Sequence, residues 1–117
     1  MKGEHQELLD KYTYNGIVCW DLLIRQEPVS EAFIVQYQEF INFKNISSIN
    51  KLNEDLIRKY KDELDWNSIS KYQNLSEEFI IENKNKVNWD LISKYQKLSE
   101  DFIINHIDKL NIKYIQL

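Results

Sequence analysis

Apolar residues return along this chain in steps of 23. Trp20, Phe43, Trp66, Trp89 and Ile112 stand one step apart, and so do Leu23, Ile46, Ile69, Ile92 and Ile115. Val29, Leu52, Leu75 and Leu98 keep the same step, as do Phe33, Leu56, Phe79 and Phe102, then Ile41, Leu64, Val87 and Leu110. Residues 66–88 and 89–111 are identical at fourteen of 23 positions. A fixed period of this length marks a repeat architecture in which each unit is one supersecondary element.

The polar positions place two helix starts in every unit. Asn42, Asp65, Asn88 and Asn111 precede the first helix, and Ser30, Asn53, Ser76 and Ser99 precede the second. Each is an N-cap residue whose side chain accepts from the unpaired N–H groups of the first turn. Each start also carries a hydrophobic staple. In the first helix the pairs are Ile41–Ile46, Leu64–Ile69, Val87–Ile92 and Leu110–Ile115; in the second, Val29–Ile34, Leu52–Ile57, Leu75–Ile80 and Leu98–Ile103. The spacing predicts a helix of about two turns, a tight link such as Gln73-Asn74-Leu75, and a helix of about three turns.

Trp66, Ile69, Ser70 and Gln73 fall on one face of the first helix, and Phe79, Ile80, Asn83 and Val87 on one face of the second. Helices this short are not stable alone and have to stack. The prediction is an all-α fold, a short α-solenoid of stacked helix-turn-helix repeats with period 23. Ser70 and Ser93, beside the tryptophans, are small enough for neighbouring backbones to approach closely.

The expected organisation is a single domain over 1–117. Residues 1–19 form a capping helix, around Glu4 to Tyr12, and a turn at Tyr14-Asn15-Gly16; residues 20–111 form four helix-pair repeats; residues 112–117 begin a fifth. Val18 and Cys19 take the staple and cap positions of the first unit, where Cys19 is a poor cap. At the other end Ile112, Ile115 and Leu117 either seal the last helix pair or form a surface for a homodimer.

Composition narrows the chemistry. The 117 residues carry a net charge of -4 and are 43% hydrophobic, too apolar for a disordered chain. Two glycines, one proline, one cysteine and two histidines exclude a disulfide scaffold, a Cys/His zinc site and a glycine-rich phosphate loop, so no cofactor is expected. No apolar stretch approaches the roughly 20 residues that cross a bilayer, and the N-terminus lacks a signal-peptide core. The expectation is a soluble, cytoplasmic protein that does not engage membranes. The abundance of Ile, Lys and Asn points to an AT-rich genome.

Catalysis requires a nucleophile, a base and an orienting group, or a metal. His5 and His106 cannot be paired by spacing; His106 reads as a partly buried helical residue and Cys19 as a structural thiol. The chain is therefore expected not to be an enzyme.

Three sets of residues are candidates for binding. Glu31, Glu54, Asp55, Glu77, Glu78, Glu100 and Asp101 recur in the first turn of the second helix. They complement the helix macrodipole there, or form a negative ridge facing a basic partner. Lys71-Tyr72-Gln73 and Lys94-Tyr95-Gln96, with Arg58-Lys59-Tyr60-Lys61, interleave base and aromatic as a single-stranded nucleic-acid binder does. The acidic net charge disfavours nucleic acid, and Tyr72 and Tyr95 flank the core stripe, where they suit packing between repeats. Val35, Ile81 and Ile104 lie on the side of the second helix away from its phenylalanine, with Arg58 in the same slot of unit two; Leu22 and Leu91 are similarly placed in the first helix. Unless stacking absorbs them, they form an exposed apolar patch for a protein partner.

The tandem pattern W-x-x-I-S-x-x-Q-x-L-S-E-x-F-I, at 66–80 and 89–103, resembles repeats in uncharacterised proteins of large DNA viruses and some phages. The likeness covers nearly all the chain after residue 19 and decays in the first two units, where Phe43 replaces Trp and Arg25-Gln26-Glu27 replaces Lys-Tyr-Gln. No reaction comes with it. The resemblance implies a small viral protein that binds a host component, in its sharpest form an anti-CRISPR-like inhibitor of a host defence nuclease. The expected function is thus a protein–protein interaction module. A single-stranded nucleic-acid-binding repeat protein and a self-assembling structural protein are the alternatives.

Overall fold

The computed structural model describes residues 5–49 and 51–115, with nine α-helices among them. The leader is α1 (Gln6–Lys11) and a two-stranded antiparallel hairpin, β1 (Thr13–Tyr14) and β2 (Ile17–Val18). Four helix pairs follow: α2 (Trp20–Gln26) with α3 (Glu31–Gln36), α4 (Phe43–Ile49) with α5 (Glu54–Lys59), α6 (Trp66–Tyr72) with α7 (Glu77–Glu82), and α8 (Trp89–Tyr95) with α9 (Glu100–Asn105). A 3₁₀ turn at Ile112–Tyr114 continues the pattern. The fold is an all-α solenoid of period 23.

The local signals that predict the helices are the ones that start them. Ser30, Asn53, Ser76 and Ser99 accept from the N–H three residues on, at Phe33, Leu56, Phe79 and Phe102. Asn42, Asp65 and Asn111 cap two first helices and the final 3₁₀ turn by accepting from the N–H two residues on, and Asn88 caps α8 from the N–H three residues on. The staple residues are buried or half-buried, and Ile57, Ile69, Ile80 and Ile92 are completely enclosed. Full burial of one such side chain contributes about 1.5–3 kcal/mol, so the enclosed isoleucines are a main source of stability.

The first helices form one continuous row, with α2 on α4, α4 on α6, α6 on α8, and α8 on the 3₁₀ turn. A polar lattice locks this row. Ser47, Ser70 and Ser93 each donate to the carbonyl four residues back and accept from the backbone N–H of Asp65, Asn88 or Asn111 in the next repeat, at 3.1, 2.9 and 2.9 Å. Gln73 reaches back one repeat, accepting from the Leu52 N–H and donating to the Ser47 carbonyl, both at 2.9 Å. Gln96 repeats the arrangement on Leu75 and Ser70, with a further bond to the Gln73 carbonyl. Serine is needed because the backbone of the next repeat comes within hydrogen-bonding range of its hydroxyl. A larger side chain would hold it off. The product is a rod of 55 × 22 × 21 Å with a radius of gyration of 17.2 Å, against about 13 Å for a compact chain of this length.

Two expectations change. The second helices are six residues long, not about three turns. Tyr60, Asn83 and His106 leave the helical region, with φ between -111 and -128° and ψ between 24 and 31°. Their carbonyls then accept from Leu64, Val87 and Leu110 and close a separate turn. That turn returns the chain to the first row, where Asn88 and Asn111 meet the serine hydroxyls. The leader also holds more than a turn. Asn15 (φ 54°) and Gly16 (φ 77°) form the two-residue connection of the hairpin, both in the left-handed region that such a turn requires.

The described part of α1 begins at Gln6, and Glu4 lies outside the described residues. Leu8, Leu9 and Tyr12 pack on the core of the first unit, and Cys19 makes no side-chain cap. At the far end Ile115 packs on the core, Ile112 is 68% exposed, and Leu117 lies outside the described residues.

Candidate interaction surface

The acidic set divides. Glu77 accepts from the Ser99 backbone N–H at 2.6 Å and from its hydroxyl at 3.0 Å. Glu54 holds Ser76 in the same way, at 2.7 and 3.1 Å, and Glu31 accepts from the Asn53 side chain at 2.9 Å. Each joins its helix to the cap of the next repeat, a role beyond the macrodipole reading. Glu78, Glu100, Asp55 and Asp101 stay exposed, and Asp55 pairs with Arg58.

The apolar set is not a continuous stripe. Val35, Ile81 and Leu91 are half-buried, with Ile81 packed on the core, while Ile104 is 68% exposed and Leu22 is 42% exposed. In unit two the Arg58 guanidinium lies 5.0 Å from the Phe79 ring centre. It donates to both carboxylate oxygens of Glu82, which holds Arg58 above its usual range and Glu82 below the usual carboxylate range. This ion pair interrupts the row between Val35 and Ile81. An open hollow of about 400 Å³ lies between α7 and α9, lined by Glu77, Glu78, Ile81 and Phe102.

The basic-aromatic set is reorganised most. Tyr60 leaves it: the ring is buried and stacked 4.4 Å from Phe43, and its hydroxyl donates to Gln38. Tyr72 and Tyr95 pack only in part, since 55% and 44% of their surface is exposed. They end α6 and α8, and Tyr114, half-buried in the final 3₁₀ turn, continues their line. Lysine ammoniums stand between the rings. Lys71 is 5.0 Å from the Tyr72 ring centre and 5.3 Å from that of Tyr95. Lys94 is 5.4 Å from both Tyr95 and Tyr114, and Lys113 is 5.5 Å from Tyr114. Hydrogen bonding with Tyr72, and then the nearness of both rings, raises Lys71 above the usual lysine range.

The result is a ladder, Tyr72–Lys71–Tyr95–Lys94–Tyr114–Lys113, running from α6 to the end of the described chain. Two hollows of about 450 Å³ open beside the ladder. One is lined by Asn74, Leu75, Tyr95, Gln96 and Lys97, the other chiefly by Lys94, Leu98, Lys113, Tyr114 and Ile115. Lysine in the last turn of a helix complements its dipole, which accounts for Lys71 and Lys94. Folding does not account for large rings left in water beside them.

Elsewhere, His106 packs 4.5 Å from the Phe102 ring, His5 packs edge-on to Phe33, and Cys19 is a half-buried free thiol. Among the described residues no cluster of His, Cys, Asp and Glu could hold a metal, and no helix is long and apolar enough to cross a membrane. In comparisons with known proteins, no family model, no curated protein and no solved structure matches this chain.

Proposed function

We propose that the chain is a non-enzymatic protein-interaction module, a short rigid rod that presents one long surface to another protein. The observation that carries this reading is the ladder: Tyr72 and Tyr95 stand exposed at equivalent positions of successive repeats, with a lysine between them. Tyrosine combines a large apolar face with a polar tip and little conformational entropy, and it is enriched where interfaces concentrate their binding energy. The Gln–Ser–Glu lattice keeps these rings in register, so a partner meets a preorganised row.

In its sharpest form the partner is a host protein in the cytoplasm, and binding blocks it, as an anti-CRISPR-like inhibitor occludes a defence nuclease. Support for that form is the resemblance of the tandem repeat to viral and phage proteins. Placing a photo-crosslinking phenylalanine analogue at Tyr95, at Ile104 and at Glu39, one at a time, tests the module reading in host lysate. A single protein captured from Tyr95 or Ile104 but not from Glu39 is the expected result. No protein captured from any position overturns it.

The alternation of lysine and tyrosine also favours a second reading, a binder of single-stranded nucleic acid, in which bases stack on the rings. A salt-sensitive mobility shift with random oligonucleotides separates the two. The third reading, self-assembly or a homodimer through the C-terminal end, rests on the exposed Ile112. It predicts oligomers that grow with concentration in light scattering.

A further inference from the structure

We propose that the Lys–Tyr ladder is a docking strip for an acidic, proline-rich protein segment in the polyproline II conformation, with a carboxylate at every third residue. The inference rests on the interaction-module reading and specifies the partner's chemistry at that surface.

The spacing of the lysines accommodates this occupant. Lys71 and Lys94 both lie within 5.4 Å of the Tyr95 ring centre, and Lys94 and Lys113 within 5.5 Å of that of Tyr114. Neighbouring ammoniums therefore stand no more than about 11 Å apart, while a polyproline II segment returns to the same side every third residue, after about 9 Å.

The rings supply the second half of the match. Proline-rich segments dock on aromatic-lined grooves because their conformation is already formed and little entropy is lost. Tyr95, half exposed and lining one hollow of about 450 Å³, offers its ring to the proline side of such a helix. Lys71, Lys94 and Lys113 then meet carboxylates on the adjoining edge. A nucleic-acid strand is the poorer fit. It carries a charge on every nucleotide, whereas the ladder offers one lysine per repeat on a chain of net charge -4.

The probe is a fluorescein-labelled peptide of five Pro-Pro-Glu units, titrated with the full chain and read by anisotropy. A same-composition peptide with its glutamates clustered at one end, a Pro-Pro-Lys peptide and a fifteen-residue oligo-dT serve as comparisons. The expected result is saturable, salt-sensitive binding of Pro-Pro-Glu alone, weakened about fivefold by Tyr95→Ala and about threefold by Lys94→Met. An unchanged helical circular dichroism spectrum confirms that each variant is folded. Three outcomes overturn the inference: no binding up to about 1 mM protein, equal binding of the clustered peptide, or tighter binding of oligo-dT. If the peptide fails while Tyr95 or Ile104 still captures a protein partner, the docking inference falls and the module reading stands. If no position captures a protein, the module reading falls with it.

Discussion

Glu77 and Ser99 are joined across a repeat boundary by two hydrogen bonds to one carboxylate, at 2.6 Å from the backbone N–H and 3.0 Å from the hydroxyl. Ser99 also caps its own helix by accepting from the Phe102 N–H. One serine therefore starts α9 and fastens it to α7. The Glu54–Ser76 pair does the same between α5 and α7. Ser99→Ala should cost about 1–2 kcal/mol by urea unfolding, and Glu77→Gln about 0.5–1.5 kcal/mol. The double variant should lose less than the sum, because both changes act on the one hydroxyl–carboxylate bond that the two side chains share. Strict additivity would show that the two residues act independently.

Gln73 is the most exacting position of the inner row. It is 4% exposed, and its amide serves the Leu52 N–H and the Ser47 carbonyl together. Gln73→Leu keeps the volume and strands both backbone groups, which should cost about 2–4 kcal/mol. Glu at this site keeps the acceptor, loses the donor and buries a charge, so it should be at least as damaging at neutral pH. Thermal melts of the two variants beside Gln96→Leu, in the less buried equivalent, check the order.

The leader should respond to acid. The Lys11 ammonium, followed by the Tyr12 hydroxyl, holds Glu27 below the usual carboxylate range. A lowered carboxylate contributes stability above its unfolded value, and that contribution disappears as pH falls through its folded value. Docking of α1 and the hairpin on α2 should therefore loosen below about pH 4.5, before the central repeats melt. Lys11, raised chiefly by its hydrogen bond to Glu27, contributes below its unfolded value and loses that contribution as pH rises through its higher folded value. Amide exchange at Cys19, whose N–H donates to the Tyr12 carbonyl, reports both limits, and Glu27→Gln should remove the acid limit.

Gly16 separates backbone strain from crowding. A methyl group there would meet nothing within 4 Å, yet φ is +77°. Gly16→Ala should destabilise the hairpin by about 1 kcal/mol through the left-handed backbone alone. Hairpin amide exchange should quicken while the melting of the repeat array stays the same.

How far the amino-acid pattern disclosed this molecule depended on the range of each interaction. Caps and staples act within five residues, and the starts of α3 to α9 and of the final 3₁₀ turn are legible from them. Burial of Ile69, Phe79 and Ile80 followed from the same period. The end of the second helix is not marked in the sequence, because Lys84-Asn85-Lys86 contains no proline or glycine to announce a turn. The Glu77–Ser99 clamp was hidden because its partners lie 22 residues apart and both already had a local explanation. The ladder was legible as residue types only. Tyr60 and Tyr72 both follow lysine, but one ends a second helix and is buried, while the other ends a first helix and stands in water. One signal was available: the Lys-Tyr pairs at 71–72 and 94–95 keep the 23-residue step, and the pair at 59–60 does not.

Every cross-repeat bond of the lattice spans between 18 and 26 residues, whether Ser70 to Asn88, Gln96 to Leu75, Glu77 to Ser99 or Gln96 to Ser70. Length is thereby uncoupled from design. Excising residues 66–88 would bring Gln96 to the place of Gln73, facing the Leu52 N–H and the Ser47 carbonyl, with no bond left in the wrong register. A chain built this way can gain or shed whole 23-residue units, and each change yields a rod of a different length with the same side-chain spacing along it.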